Sequence, residues 1–213
     1  MNIDAGIKVA AISFSGLEVN SSSGPFEQLL LLAAHYKEAY SKTTIGDVPG
    51  VQEARKLFRA INLDPTKHRP SSEALLRRAL KNKTFHKINS LVDIGNWCSL
   101  DFLLPICVYD LDKILGSVTI RLGKDDESYL AHNDRIIRLL DRYVLADDSG
   151  PFGSPITDSV RTAVDESTIN SLLVIFAPAD IESSLLTELA SKFSQRVGEY
   201  CGGKTDKIEI LTG

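Results

Sequence analysis

The sequence holds little that would tie it to a metal, a membrane or an oxidising compartment. Its three cysteines, Cys98, Cys107 and Cys201, are odd in number and share no ligand spacing. That excludes a disulfide framework, argues against a zinc site, and reads as a reduced, cytoplasmic chain. No apolar run approaches the roughly 18 residues that a membrane-spanning helix needs. The N-terminus lacks a basic segment followed by an apolar stretch and a small-residue cleavage site, so no secretory signal is expected. The G-x-S-x-G, H-E-x-x-H and glycine-lysine phosphate-loop patterns are also missing, and with them the best-known hydrolase, metalloprotease and nucleotidase signatures. Neither a metal nor a cofactor is expected.

Positive charge is scarce too. The net charge is −4 over 213 residues, whereas proteins that grip nucleic acid through many phosphates usually carry a basic surplus. Basic residues gather only locally, at Lys81, Lys83, His86 and Lys87 and at Arg135, Arg138 and Arg142. Each group reads first as a solvated face. Any contact with RNA has to be local or aided by a partner.

What is present is ordinary globular composition, 43% hydrophobic and 24% charged, in a chain long enough for one substantial core. Ile7 to Ile12 reads as a strand. Pro25 opens a helix that runs through Leu29, Leu30 and Ala33 to Tyr40. A second helix spans Gln52 to Asn62 and stops before Asp64-Pro65. Ser71 or Ser72 is expected to cap a third helix, with Glu73 in its first turn. Val118–Arg121, Tyr143–Ala146 and Leu172–Phe176 read as strands. Ile181, Leu185, Leu189, Phe193 and Val197 recur every four residues in a helix that Gly202-Gly203 ends. Ile208–Leu211 is a last strand. Val92, Ile94, Val118, Ile120, Leu172 and Val174 are expected to be buried. The order of elements argues α+β in one unit over residues 1–213.

The segment Lys87–Leu100 stands apart. An apolar run stops at Asp93, a Gly95-Asn96 pair follows, and Leu104-Pro105 and Tyr109-Asp110 come after. It reads as a strand turning sharply into a short helix from Trp97 to Phe102, capped by Asn96. Asp93 and Asp110 read first as turn aspartates that accept backbone N–H groups. A Gly- and Pro-containing loop from Gly150 to Thr162 carries a polar strip, Ser154, Thr157, Asp158, Ser159 and Thr162, of the kind that often serves function. Among the histidines, His35 reads as half-buried in a helix, His132 as solvent-facing, and only His86 as close to a pocket.

The turn, the proline and the aromatic-Asp pair together resemble the B3/B4 editing module of the phenylalanyl-tRNA synthetase β subunit. Arg69–Arg78, Gly116–Leu122 and Ser159–Val164 fit the same pattern, so the resemblance runs from Phe58 to Pro178. It implies a curved, half-barrel-like mixed sheet with helices packed outside. It also implies a partner, the aminoacylated 3′ end of tRNA, from which a misattached amino acid is hydrolysed by a free-standing editing domain without aminoacylation activity. By position, Asn96 matches the family asparagine and Pro105 the pocket proline. Gly95 falls where bacterial synthetases have threonine, Cys107 where they have histidine, Val174 where they have the glutamate that reads a tyrosine hydroxyl, and His86 where they have arginine. In the family the loop holding Ser159 closes over the amino-acid side chain. The expected pocket is therefore Asn96, Pro105, Cys107, Ser159 and Val174, with His86 and Gly95 nearby, and more apolar than the synthetase site. That favours an aliphatic or otherwise different aminoacyl group over tyrosine. The alternative is a non-catalytic module that binds RNA or a small molecule in the same cavity. No membrane partner is expected, and self-association is left open.

Overall fold

The structure is a computed structural model that describes residues 1–131 and 134–213; His132 lies outside the described residues. In chain order the elements are β1 (Asn2–Asp4), β2 (Ile7–Ser15), α1 (Gly24–Tyr40), α2 (Val51–Ala60), α3 (Ser71–Leu80), α4 (Ser90–Phe102), β3 (Ile106–Asp110), β4 (Thr119–Leu122), β5 (Ser128–Leu130), β6 (Ile136–Arg138), β7 (Tyr143–Asp147), β8 (Gly150–Gly153), β9 (Ser171–Pro178), α5 (Ser183–Cys201) and β10 (Lys204–Thr212). The α+β class is as the sequence implies. The strands divide into two four-stranded sheets, ordered β10-β2-β9-β3 and β1-β4-β7-β8, beside a β5-β6 hairpin. The second sheet is mixed, since β1 runs parallel to β4 while β7 is antiparallel to it.

β9 is central to the first sheet, and all eight of its residues are buried. The period-2 alternation of side chains explains how. On one face, Leu173, Ile175 and Ala177 join Ala10, Ile12 and Phe14 of β2 beneath α4 and α5, which contribute Leu91, Ile94, Cys98, Leu186, Phe193 and Val197. On the other face, Leu172, Val174 and Phe176 meet Cys107 and Tyr109 of β3 beneath the second sheet and α2. β3 is therefore packed on both faces and free along one edge. Of the six residues expected in the core, Ile94, Ile120, Leu172 and Val174 are buried, while Val92 and Val118 are half-buried.

Several local expectations need correction. Gly95 and Asn96 do not form a turn. They lie inside α4, which begins at Ser90 with Asn89 as its cap, the Asn89 side chain accepting from Val92 N at 3.0 Å. Gly95 is where the helix approaches β3 most closely, because a Cβ there would stand 3.1 Å from Val108 Cγ1. Packing, rather than a chain reversal, explains this glycine. Neither Ser71 nor Ser72 caps α3, because Pro70, with extended backbone, takes the cap position. Ser72 Oγ donates instead to Leu103 O at 3.2 Å. His35 is exposed rather than half-buried.

Candidate functional site

A cavity of about 280 Å³ opens along the free edge of β3. One wall is the start of α4, with Ile88 and Val92; the floor is Val108 and Tyr109 of β3; the far wall is the chain from Asp158 to Val164. Pro105 fixes the strand register, since its carbonyl accepts from Phe176 N at 2.9 Å. In an antiparallel ladder hydrogen-bonded pairs alternate. Cys107 and Tyr109 thus turn their backbone groups toward β9, and Val108 turns its N–H and C=O outward, where no strand pairs with them among the described residues.

The far wall is held in place from outside. Arg161 grips the Asp147 carboxylate of β7 with two bonds of 2.9 Å each, and Lys113 Nζ donates to Ala163 O at 2.7 Å. Ser159 N donates to Phe152 O at 2.9 Å, and its hydroxyl accepts from Arg161 N at 3.2 Å. Such outer support is what holds a binding site to one geometry.

Two polar groups at the cavity stand out. Tyr109 donates its hydroxyl to Asp158 Oδ1 at 2.6 Å. Burial pushes the Asp158 carboxyl up to about 6, against the opposing effect of the bonds from Tyr109, Cys107 and Ser154 N. Burial also raises the Tyr109 phenol well above its ordinary value, with the nearby Asp158 charge adding to it, so it stays a neutral donor. The second group is Thr162, fully buried in the cavity wall, whose Oγ1 has no hydrogen-bond partner among the described residues. A buried hydroxyl left unpaired costs free energy that a bound polar group would recover.

The expected pocket residues are distributed as follows. Ser159 lines the cavity. Asn96 stands one helical turn beyond Val92 on the half-exposed side of α4 and is not among the residues that line the cavity. Cys107 and Val174 are directly opposite each other across β3 and β9, but both point into the core between the sheets. Cys107 donates its thiol to Ser154 O at 3.4 Å, and burial raises the thiol well above its ordinary value, which excludes it as a thiolate nucleophile. Pro105 is buried and His86 is exposed on the segment leading to α4. Asp93 and Asp110 each accept backbone N–H groups, Ile88 N at 3.2 Å and Asp112 N at 3.1 Å, as turn aspartates do. Asp158 and Thr162 belong to the polar strip that the sequence singles out. Val92, Val108 and Val164 carry no polar signal; only the strand alternation on β3 marks Val108.

Gly153 keeps the Tyr109–Asp158 pair in place. A Cβ there would fall 1.9 Å from the Tyr109 hydroxyl oxygen, and Tyr109 also meets Phe152 edge-on at 5.0 Å. Overpacking of this kind typically costs about 1–3 kcal/mol. G153A is expected to lower the urea midpoint accordingly; an unchanged midpoint would mean that the tyrosine has room to move.

The B3/4 domain family matches residues 53–199 of the chain. The uncharacterized protein YhzB of Bacillus subtilis is 27% identical over 212 residues, covering 98% of this chain and 94% of that protein. The phenylalanine–tRNA ligase β subunit of Brucella abortus is 28% identical over 170 residues, which are 68% of this chain and 21% of the subunit. That of Bartonella henselae is 39% identical over 150 residues, 58% of this chain and 18% of the subunit. The chain thus spans about a fifth of the synthetase subunits it matches. An N-terminal fragment of the phenylalanyl-tRNA synthetase β-subunit from Pyrococcus horikoshii superposes with a TM-score of 0.47 at 15% identity, over 58% of this chain and 45% of that one. With the match covering Glu53 to Glu199, the chain belongs to the B3/4 domain family.

Proposed function

We propose that this chain binds the aminoacylated 3′ end of tRNA and hydrolyses the ester of a misattached amino acid in the cavity beside β3. The observation that carries the reading is the pairing of Asp158 with Tyr109 in the wall of a small, mainly aliphatic cavity. Ester hydrolysis needs a base for the attacking water and donors for the carbonyl oxygen. Asp158, titrating at about 6, is ionised at neutral pH and still basic enough to accept a proton. In this reading the half-buried Asp158 carboxylate, with Tyr109 on Oδ1, takes the proton of the attacking water. Val108 N–H, on the outer edge of β3 where no strand pairs with it among the described residues, is the backbone donor assigned to the ester oxygen. Thr162 Oγ1 supplies a further polar partner. The ribose hydroxyl of the tRNA leaves as the proton passes to it.

The cavity is at the small end of the range for ligand pockets, about 300–1,000 Å³. Val92, Val108, Ala163 and Val164 make its walls apolar. An aliphatic aminoacyl group fits this lining better than a phenol. Burying a tyrosine hydroxyl without a partner costs on the order of 1–3 kcal/mol. The test is deacylation of a panel of mischarged tRNAs by the purified protein. The expected result is faster release of an aliphatic amino acid than of tyrosine, by roughly ten-fold or more. Preference for tyrosyl-tRNA would overturn the specificity. Tight binding of aminoacyl-tRNA with no turnover on any ester would replace hydrolysis with binding alone.

A further inference from the structure

Charge is distributed very unevenly along this chain. Residues 67–87 hold seven lysines and arginines against the single acid Glu73, a net of +6, while the remaining residues hold 17 against 27, a net of −10. In the fold five of these seven cations converge. A cleft of about 230 Å³ on α3 is lined by Arg69, Arg77, Arg78, Lys81 and Lys83, with Ala74 at its floor. Only Arg77 is neutralised within the protein, by Glu73 at 3.1 Å. Arg78 is held in place, donating to Thr84 O and lying over the Phe85 ring. Arg69, Lys81 and Lys83 are exposed and make no ion pair among the described residues.

Helix electrostatics explain part of this arrangement but not all of it. Lys81 and Lys83 follow the C-terminus of α3, where a cation interacts favourably with the helix dipole. Arg69 precedes the N-terminus, where the dipole opposes it, and five like charges around one cleft repel each other. An anion of matching shape would relieve both. The cleft is also tied to the cavity beside β3 at both ends. Ser71 N, two residues after Arg69, donates to Pro155 O at 3.2 Å, and Asp158 of the cavity wall lies three residues beyond Pro155. At the other end, Ile88 of the cavity wall lies five residues after Lys83, which limits their Cα separation to about 18 Å.

We infer that the α3 cleft binds the phosphodiester backbone of the RNA whose 3′ end enters the cavity. The inference rests on the proposed function and names the surface that holds its partner. The cleft takes phosphates without reading bases. It gives an acidic protein a local site for a polyanion, and it sets the direction from which the chain approaches Asp158.

The test is fluorescence anisotropy of an uncharged acceptor-stem minihelix RNA ending in CCA, titrated with protein between 50 and 200 mM KCl. The comparison is between the wild type and R69Q/K81Q/K83Q, whose three exposed side chains make no polar contact among the described residues; circular dichroism verifies that the fold is kept. Each lost phosphate contact lowers the slope of log K against log salt by about 0.7–0.9. The expected result is a slope reduced by about 2 and affinity at least ten-fold weaker at 100 mM. A control, K42Q/K124Q/K204Q, removes the same charge elsewhere and should keep the wild-type slope. Equal losses in both triple variants would reduce the effect to net charge and overturn the cleft. So would wild-type protein that binds vesicles of 30% phosphatidylserine but not the minihelix. Loss of ester hydrolysis with salt-dependent RNA binding intact would instead count against the proposed reaction and leave the cleft standing.

Discussion

E73A is expected to destabilise the protein by about 3–5 kcal/mol, the largest loss predicted for a single side chain here. Glu73 is 1% exposed at its side chain and Arg55 11%. The two meet in a fork, Arg55 Nε to Oε2 at 2.7 Å and Arg55 Nη2 to Oε1 at 3.0 Å, and Arg77 adds a third bond at 3.1 Å. The network clamps α2 to the first turn of α3. Burial alone would push the Glu73 carboxyl up, but the two arginines outweigh it and hold the group below its ordinary value. Truncation leaves the Arg55 guanidinium without the carboxylate bonded to it, with only the more distant charges of Asp47 and Asp64 nearby, which is why the expected cost exceeds that of an exposed pair. Replacing both partners by apolar residues, as in R55M/E73L, is expected to recover most of the loss. For a depressed carboxylate, stability is present above the unfolded value and is lost as pH falls through the folded one. The gap between the wild type and E73Q should therefore shrink below about pH 4. Urea unfolding at pH 3 and pH 7 measures all three effects. A loss under about 1 kcal/mol in E73A would show that Arg55 finds solvent once its partner is gone. Because Arg77 belongs to both this network and the cationic cleft, the same clamp fixes the cleft's geometry.

The contrast between legible and illegible parts of the fold follows from the range of the interactions involved. α5 is visible in the sequence as a helix, and Gly202, at φ 62°, stops it, but its buried face is Leu186, Ala190, Phe193, Val197 and Cys201 rather than the expected stripe, since Leu185 is exposed and Ile181 precedes the helix. The start of α1 at Pro25 and the buried run of β9 are similarly local signals. α4 was hidden because its glycine answers to Val108 on β3, a contact that no sequence window around Gly95 contains. The parallel pairing of β1 with β4, with Asn2 opposite Thr119, is likewise a product of tertiary packing.

The candidate site was half legible for the same reason. The polar strip with Asp158, Ser159 and Thr162 declares itself by composition. The family resemblance, not any spacing in the sequence, puts Cys107 and Val174 in one pocket, and the two are opposite each other on neighbouring strands. What the resemblance does not fix is the face. Side chains alternate along a strand, so one residue of offset moves a group to the other side. Cys107 and Val174 fall on the side that packs against the second sheet, and Val108, one residue on, lines the cavity. The two positions that the resemblance aligns with a family histidine and glutamate are thus core residues here. Under the proposed function, the chemistry of the cavity rests on Tyr109, Asp158 and Thr162.

D158N is expected to separate activity from stability, and to move them in opposite directions. As the base for the attacking water, the carboxylate should be worth about 10²–10⁴-fold in rate. The loss should appear in kcat with little change in KM, since the amide keeps the shape and still accepts from Tyr109. In the wild type the rate should rise with pH through about 6, where Asp158 ionises, and then level off; the residual rate of D158N should lack that step. Stability follows the opposite sign. A carboxyl raised in the folded state contributes stability that is complete below its unfolded value, about 4, and is lost as pH rises through its folded value, about 6. At pH 8 the wild type therefore holds a charge in an unfavourable place, which the amide does not. D158N should be more stable than the wild type at pH 8, by about 1–2 kcal/mol after allowing for partial exposure. Near pH 4 the difference should vanish. Thermal unfolding at the two pH values, beside single-turnover deacylation across pH 5–8, gives both readouts from one preparation. A residue that merely props up the cavity would lose stability and activity together, and that result, or a D158N rate within a few-fold of wild type, would remove Asp158 from the reaction.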